Sequence, residues 1–148
     1  LIAGEGSFRE ELEDLSNTLD VEKKVFLLSY REDVLKLLAL ADYFVFPSYF
    51  EGLPGALIEA IISKTPSIVS VIAEYMEFFT ENGALFFQSG NIKELGDKME
   101  EALILRDWKE RTENSLENAR KNFEIKKVSK EYESFYRMIV KDGGSKIK

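Results

Sequence analysis

Two carboxylates, Glu51 and Glu59, bracket a short run rich in glycine and proline, Gly52-Leu53-Pro54-Gly55-Ala56-Leu57. A carboxylate at the end of an apolar strand is placed to accept hydrogen bonds from sugar hydroxyls, or to stabilise positive charge developing on a sugar ring. Taken alone, Glu51 reads as a solvated loop glutamate in a chain with 27 acidic residues. Pro54 suits the first position of a helix, so the next amides, those of Gly55, Ala56 and Leu57, are expected to lack intrahelical acceptors and to be open to an anion. Gly52 and Gly55 would let the backbone approach a phosphate with no Cβ in the way. Glu59 falls about one turn into the otherwise apolar run Gly55-Ala56-Leu57-Ile58-Glu59-Ala60-Ile61-Ile62. If buried there, it needs a hydrogen-bonding partner such as a ligand diol. The same spacing also makes Gly55, Glu59 and Ser63 a plain polar stripe, and periodicity leaves both readings open.

Other positions offer weaker chemistry. Gly4-Glu5-Gly6-Ser7 follows an apolar run and precedes an amphipathic one. It could cradle a phosphate or serve as an ordinary strand-to-helix turn, with Ser7 capping the helix. Ser29-Tyr30-Arg31-Glu32-Asp33 could give backbone contacts to a base; equally, Asp33 could cap the next helix and Arg31 be solvated. Glu77 is a third carboxylate of the same crevice or an ordinary first-turn acid. Phe123, Tyr132, Phe135 and Tyr136 are spaced for one helical face, which favours core packing or docking on a neighbouring domain over a ligand cage. No DxD pair occurs, so a metal-diphosphate site of that kind has no support and no metal or cofactor is expected.

These residues need a scaffold of alternating elements. Leu1–Ala3, Val25–Leu28, Tyr43–Phe46, Ser67–Val71 and Ala84–Phe87 read as short buried strands. Helices are expected over Ser7–Asn17, Asp33–Leu40, Pro54–Ser63, a turn near Glu74–Phe79, and Ile92–Leu105. The alternation predicts an α/β fold, a Rossmann-like doubly wound parallel sheet, whose crevice lies beyond the carboxyl ends of its strands. After Leu105 the pattern is helical only, with extra C-terminal helices over Trp108–Asn122 and Lys127–Val140 joined at Phe123-Glu124-Ile125. One domain is expected over residues 1–140, and 141–148 as a disordered tail.

Composition narrows the function further. A chain of 148 residues that is 45% apolar suits one compact domain with one core. The absence of cysteine excludes a thiol nucleophile and fits a reducing cytoplasm, and the absence of histidine excludes an imidazole base. The net charge of −7 argues against nonspecific nucleic-acid binding. No uninterrupted apolar run is long enough to cross a membrane. The abrupt start at Leu1-Ile2-Ala3-Gly4 suggests a fragment whose earlier strands precede it.

Together these segments resemble the C-terminal, donor-binding domain of GT-B glycosyltransferases, in particular the retaining glycosyltransferase family 4. The resemblance is carried by Gly4-Glu5-Gly6, Val25-Phe26-Leu27, Tyr30-Arg31-Glu32-Asp33-Val34, the run from Leu37 to Ser48, Glu51-Gly52-Leu53-Pro54, Leu57-Ile58-Glu59-Ala60, Pro66, Glu77 and Asn82-Gly83. It implies that Glu51 contacts the transferred sugar, that the amides around Gly52–Leu57 hold the diphosphate, and that Glu59 binds the ribose hydroxyls. Backbone at Ser29 and Tyr30 would face the base, with Gly4 and Gly6 shaping the floor. The implied activity is metal-independent transfer, with retention, from a UDP- or GDP-linked sugar to a lipid or polysaccharide acceptor, in the cytoplasm or peripherally at the inner membrane face. An acceptor domain and basic Gly-Arg and Lys-Gly segments would lie before Leu1, so this chain alone is not expected to be a competent transferase. Ser29, Lys64, Ala73 and Glu74 stand where the family carries glycine, and Val71 where it often has aspartate, at loops expected beside the donor site. A degenerate, non-catalytic domain of the same fold and a nucleotide-sugar epimerase are the alternatives.

Overall fold

The computed structural model describes residues 1–72 and 83–142. The chain divides into two compact units, Leu1–Leu37 and Leu38–Lys148.

In the first unit, β1 (Ile2–Ala3) and β2 (Leu27–Leu28) pair in parallel, with Ile2 opposite Leu27 and Ala3 opposite Leu28. Between them runs α1 (Arg9–Thr18), two residues later than the sequence suggests. Ser7 does not cap it. The N-cap is Phe8, with no side-chain hydrogen bond, so the first amides of α1 gain nothing from the serine. At the other end Asp20 takes a positive φ of 55°, its amide donating to Asn17 and that of Val21 to Ser16. This is the paired closure in which a left-handed residue satisfies the last helical carbonyls. No residue of this unit is fully buried. The core expected for the whole chain therefore lies in the second unit. The chain passes from one unit to the next within α2 (Val34–Leu40).

The second unit holds three parallel strands in the order β3 (Phe44–Phe46), β4 (Ser67–Val71), β5 (Leu85–Gln88). Residues of β4 alternate between two apolar clusters, as a pleated strand requires. Val69 joins Phe46, Leu57, Ile61, Ile72, Ala84 and Ala119 on one face. Ile68 joins Leu85, Phe87 and Ala102 on the other, backed by Tyr43, Val45, Leu95 and Trp108. The first cluster is closed by α3 (Gly55–Ile62) and α5 (Trp108–Phe123), the second by α4 (Ile92–Ile104). Helices on both faces make β4 a central strand, and Ser67–Ser70 are accordingly all buried. The architecture is the Rossmann-like α/β arrangement that the alternation predicts.

Local chemistry sets the ends of these helices. Asn91 caps α4 by accepting the Glu94 amide at 3.1 Å, while the Glu94 carboxylate accepts the amide of Gln88 at 2.9 Å and the Asn91 side-chain amide at 3.2 Å. At the far end of α4 the carbonyl of Ala102 accepts both the Tyr43 hydroxyl at 2.9 Å and the Trp108 indole at 3.2 Å, drawing strand, helix and the start of α5 together. The buried Ser115 hydroxyl of α5 lies 3.0 Å from two carbonyls, that of Gly83 just before β5 and that of Arg111 on its own helix. Glu124 ends α5 in extended backbone, at the joint expected there, and α6 (Ile125–Asp142) follows. α6 runs two residues into the segment expected to be disordered. On it Tyr132, Phe135 and Tyr136 are all more than half exposed, so they do not pack into this core. The side chain of Phe123, the turn expected near Glu74–Phe79 and residues 143–148 lie outside the described residues. No helix among the described residues is long and apolar enough to cross a membrane.

Candidate functional site

The carboxyl end of the three-stranded sheet carries a connected set of hydroxyls and one carboxylate. Ser48 follows β3, and its Oγ donates to Oε1 of Glu51 at 2.6 Å. That length belongs to a charge-assisted bond between a hydroxyl and a carboxylate. The carbonyl of Ser48 in turn accepts Oγ of Ser70 at 2.6 Å and Oγ of Ser89 at 3.2 Å. Ser70 also lies 3.2 Å from the carbonyl of Phe46. A hydroxyl has one hydrogen, and the shorter contact identifies Ser48 as its main acceptor. Ser70 lies within β4 and is completely buried, while Ser89 directly follows β5. Three neighbouring strand ends thus converge on one peptide, the one immediately before the loop that carries Glu51.

A further contact holds the same loop. Gly90 has φ 80°, a left-handed conformation that favours glycine, and a Cβ there would sit 3.2 Å from Cε1 of Tyr49. Ser48, Glu51 and Ser89 are half-buried, whereas Tyr49, Phe50 and Leu53 are largely exposed. Fixed backbone thus presents mobile-length side chains to solvent around a half-buried carboxylate.

Pro54 does not occupy the first helical position. It is the N-cap of α3, with φ −78° and ψ 76°, and the amide of Gly55 donates across it to Leu53 at 2.9 Å. That is an inverse γ-turn, which the proline ring favours by holding φ. The expectation of three open amides is corrected accordingly. Gly55 is engaged in the turn, and the amide of Leu57 donates to Pro54 at 3.0 Å. Among the described residues, the amides of Gly52, Leu53 and Ala56 have no protein acceptor and form the remaining donor group at this helix start. The side chain of Leu57 is fully buried in the core, and Pro54 is buried beside it.

Glu59 lies on α3 between the buried Leu57 and Ala60. Its side chain is half-buried rather than buried, so no burial penalty requires a ligand partner. Gly55, Glu59 and Ser63 do form the polar stripe, exposed at Gly55 and half-buried at the other two. Among the described residues the Glu59 carboxylate has no hydrogen-bond or ion-pair partner, which leaves it available to solvent or ligand.

In the first unit, Gly4 has φ 135°, a conformation for which glycine is required, and it opens the loop after β1. Gly4 and Gly6 line a depression of about 180 Å³ with Leu28 and Arg9. Arg9 is a cation that sequence reasoning passed over. Its Nη2 donates to the carbonyl of Leu27 at 3.1 Å and its Nε pairs with Glu13 at 2.9 Å. Ser29 and Tyr30 are exposed after β2. Arg31 is not simply solvated and Asp33 does not spend its carboxylate on capping. The two make a two-pronged pair at 2.8 and 2.7 Å. The hydrogen bond from Arg31 holds the Asp33 carboxyl below its ordinary 3.8, and the same bond raises the arginine.

Of the positions where glycine was expected, Lys64 is misplaced as a donor-site residue. It lies at the C-terminal end of α3, the end away from Pro54, with φ 56°. Its amide donates to Ile61 at 3.1 Å and that of Thr65 to Ala60 at 3.0 Å, the same closure seen after α1. Glycine is favoured there by backbone conformation and not by phosphate approach. Glu77, Ala73, Glu74 and Asn82 lie outside the described residues. No group of acidic side chains suited to a metal ion occurs among the described residues.

Comparison with known proteins agrees with this architecture. Residues 1–122 match the model of the family described as glycosyl transferases group 1. The chain is 36% identical over 73 residues to the Escherichia coli UDP-Gal:alpha-D-GlcNAc-diphosphoundecaprenol alpha-1,3-galactosyltransferase, covering 49% of this chain and 19% of that enzyme. It is 30% identical over 122 residues to the Campylobacter jejuni N,N'-diacetylbacillosaminyl-diphospho-undecaprenol alpha-1,3-N-acetylgalactosaminyltransferase, covering 80% of this chain and 32% of that enzyme. The crystal structure of Anabaena HepE in complex with UDP and glucose superposes with a TM-score of 0.83 at 18% identity, over 92% of this chain and 39% of that one. The chain thus spans a third or less of the length of these curated relatives. With most of its length matching the family model, and with the parallel sheet and helices of GT-B structures, the chain belongs to the group 1 glycosyltransferases.

Proposed function

We propose that this chain is the donor-binding domain of a retaining glycosyltransferase, which moves a sugar from a nucleotide-linked donor to a lipid-linked or polysaccharide acceptor. The observation that carries the reading is the strand-end loop in which a half-buried Glu51, bonded by Ser48, directly precedes a helix start with open amides. In this reading one oxygen of Glu51 is held by Ser48 and the other faces the transferred sugar, where negative charge stabilises an oxocarbenium-like transition state. The amides of Gly52, Leu53 and Ala56 receive the diphosphate at the positive end of the α3 dipole. Glu59, without a protein partner among the described residues, accepts the ribose hydroxyls. In this reading no metal or cofactor takes part.

The two named relatives act on diphosphoundecaprenol-linked sugars, and HepE was crystallised with UDP. These names support a uridine donor and a lipid-linked acceptor. In this reading the enzyme works at the inner face of the membrane, and another domain of the same protein binds the acceptor. Calorimetric titration of the full-length protein with UDP, GDP and ADP, in wild type and Glu59→Ala, tests the assignment. Selective binding of one diphosphate that weakens about tenfold in the variant, the size of one lost charged hydrogen bond, is the expected result. Unchanged affinity in Glu59→Ala would remove the ribose role.

A further inference from the structure

We propose that Ser48 is the positioning residue for Glu51, and that Ser70 and Ser89 set the position of Ser48. The inference rests on the catalytic reading of Glu51, and it concerns how that carboxylate is aimed. A glutamate in a surface loop has three side-chain torsions and would sample many of them. Here Oε1 is held by the Ser48 hydroxyl at 2.6 Å, which fixes the carboxylate, while Oε2 has no protein partner among the described residues and is the oxygen turned toward a ligand. The donor is itself fixed. Its own carbonyl receives Ser70 from the adjacent β4 and Ser89 from the turn after β5, one strand further on, so the peptide carrying the hydroxyl is anchored to both.

The burial of Ser70 sharpens the point. A fully buried hydroxyl in the central strand, among Ile68, Val69 and Val71, needs a partner to offset its desolvation. Its short bond goes to Ser48, ahead of the longer contact to Phe46. Packing alone would be served as well by alanine in an apolar strand. Through its bond to Ser48 the serine gives a defined location to the residue that holds Glu51, and a displacement of about 1 Å at a reacting group is enough to cost on the order of a hundredfold in rate.

The test uses the full-length enzyme in four forms: wild type, Ser48→Ala, Ser48→Thr and Glu51→Gln. Crystal structures of wild type and Ser48→Ala read the aim of Glu51 directly, with no need to know the donor. The expected result is one Glu51 conformer in wild type and a displaced or multiple conformer in Ser48→Ala. Glu51 in the same place without the serine hydroxyl overturns the proposal. Turnover, read as UDP release when water takes the sugar from UDP-glucose or UDP-N-acetylglucosamine, should fall at least about tenfold in Ser48→Ala with UDP affinity unchanged, and recover in Ser48→Thr, which keeps the hydroxyl. Adding Ser48→Ala to Glu51→Gln should cost nothing further, because a residue acting only through Glu51 has nothing left to position. An equal loss in both backgrounds assigns Ser48 a merely structural role and overturns the proposal. Full turnover in Glu51→Gln, by contrast, refutes the catalytic reading itself while the crystal structures still decide what Ser48 does to Glu51.

Discussion

Ser70, in the middle of the sheet, donates its buried hydroxyl to the carbonyl of Ser48 at 2.6 Å, joining β4 to the loop beyond β3 where no ladder bond reaches. Among the described residues, removing it leaves that carbonyl with Ser89 alone, at 3.2 Å. Ser70→Ala is expected to lower stability by about 1 kcal/mol, the usual net worth of such a bond, measured by urea unfolding. A stability equal to wild type would show that the bond contributes nothing to the sheet.

Lys64 is expected to be a weak point. A non-glycine residue in the left-handed region costs about 1–2 kcal/mol, part of which returns as chain entropy when glycine replaces it. The pair with Glu113 is long, at 3.6 Å, and both partners are about half exposed, so its loss costs under about 1 kcal/mol. Lys64→Gly should therefore raise stability by roughly 0.5–1 kcal/mol, seen as a higher melting temperature. Asp20→Gly should gain less, since aspartate tolerates this conformation better. A lower melting temperature for Lys64→Gly would mean that the ion pair outweighs the strain.

Gly90→Ala should do the reverse. Its φ of 80° is strained for alanine, and the new methyl would press on the Tyr49 ring at 3.2 Å. A loss of about 1–2 kcal/mol is expected, with lowered turnover because the displaced ring sits two residues before Glu51. Unaltered stability and turnover would exclude tight coupling between these two loops.

Asp33 carries a pH signature. Its folded pKa is depressed by the Arg31 hydrogen bond, so the contribution to stability is present above the unfolded value near 3.8 and is lost as pH falls through the lower folded value. Titration of the Asp33 carboxyl carbon by NMR should give a midpoint below 3.8 in wild type, rising toward 3.8 in Arg31→Ala. The same midpoint in both proteins would show that the pair does not persist in solution.

Much of this architecture is legible in the residue pattern, and the exceptions have physical reasons. Ser67–Val71 reads directly as a strand because a β-branched run covered on both faces has no other good use, and its observed bounds agree. The strands of the first unit are shorter than their apolar runs because pairing, not hydrophobicity, ends a strand. Pro54 points to a helix start, but periodicity cannot distinguish the first helical position from a γ-turn at the cap. That distinction decides which amides are free. Lys64 reads as a lost glycine of a binding loop from the family pattern, whereas its φ assigns it to helix termination. Glu51 and Ser48 lie close in sequence and their bond is foreseeable. The roles of Ser70 and Ser89 are not, since they arise only when strands far apart in the chain lie side by side. A serine set between Val69 and Val71 in an apolar strand was the available hint.

Because the Glu51 loop is held from three strand ends, it does not have a private stability. Releasing the Ser48 peptide means breaking a bond from inside the central strand, so the loop belongs to the same cooperative unit as the sheet. Amide exchange at the loop should then follow the sheet instead of running at the rate of a free surface turn. Heat or denaturant would erase the carboxylate's alignment and the fold of β3, β4 and β5 in a single transition.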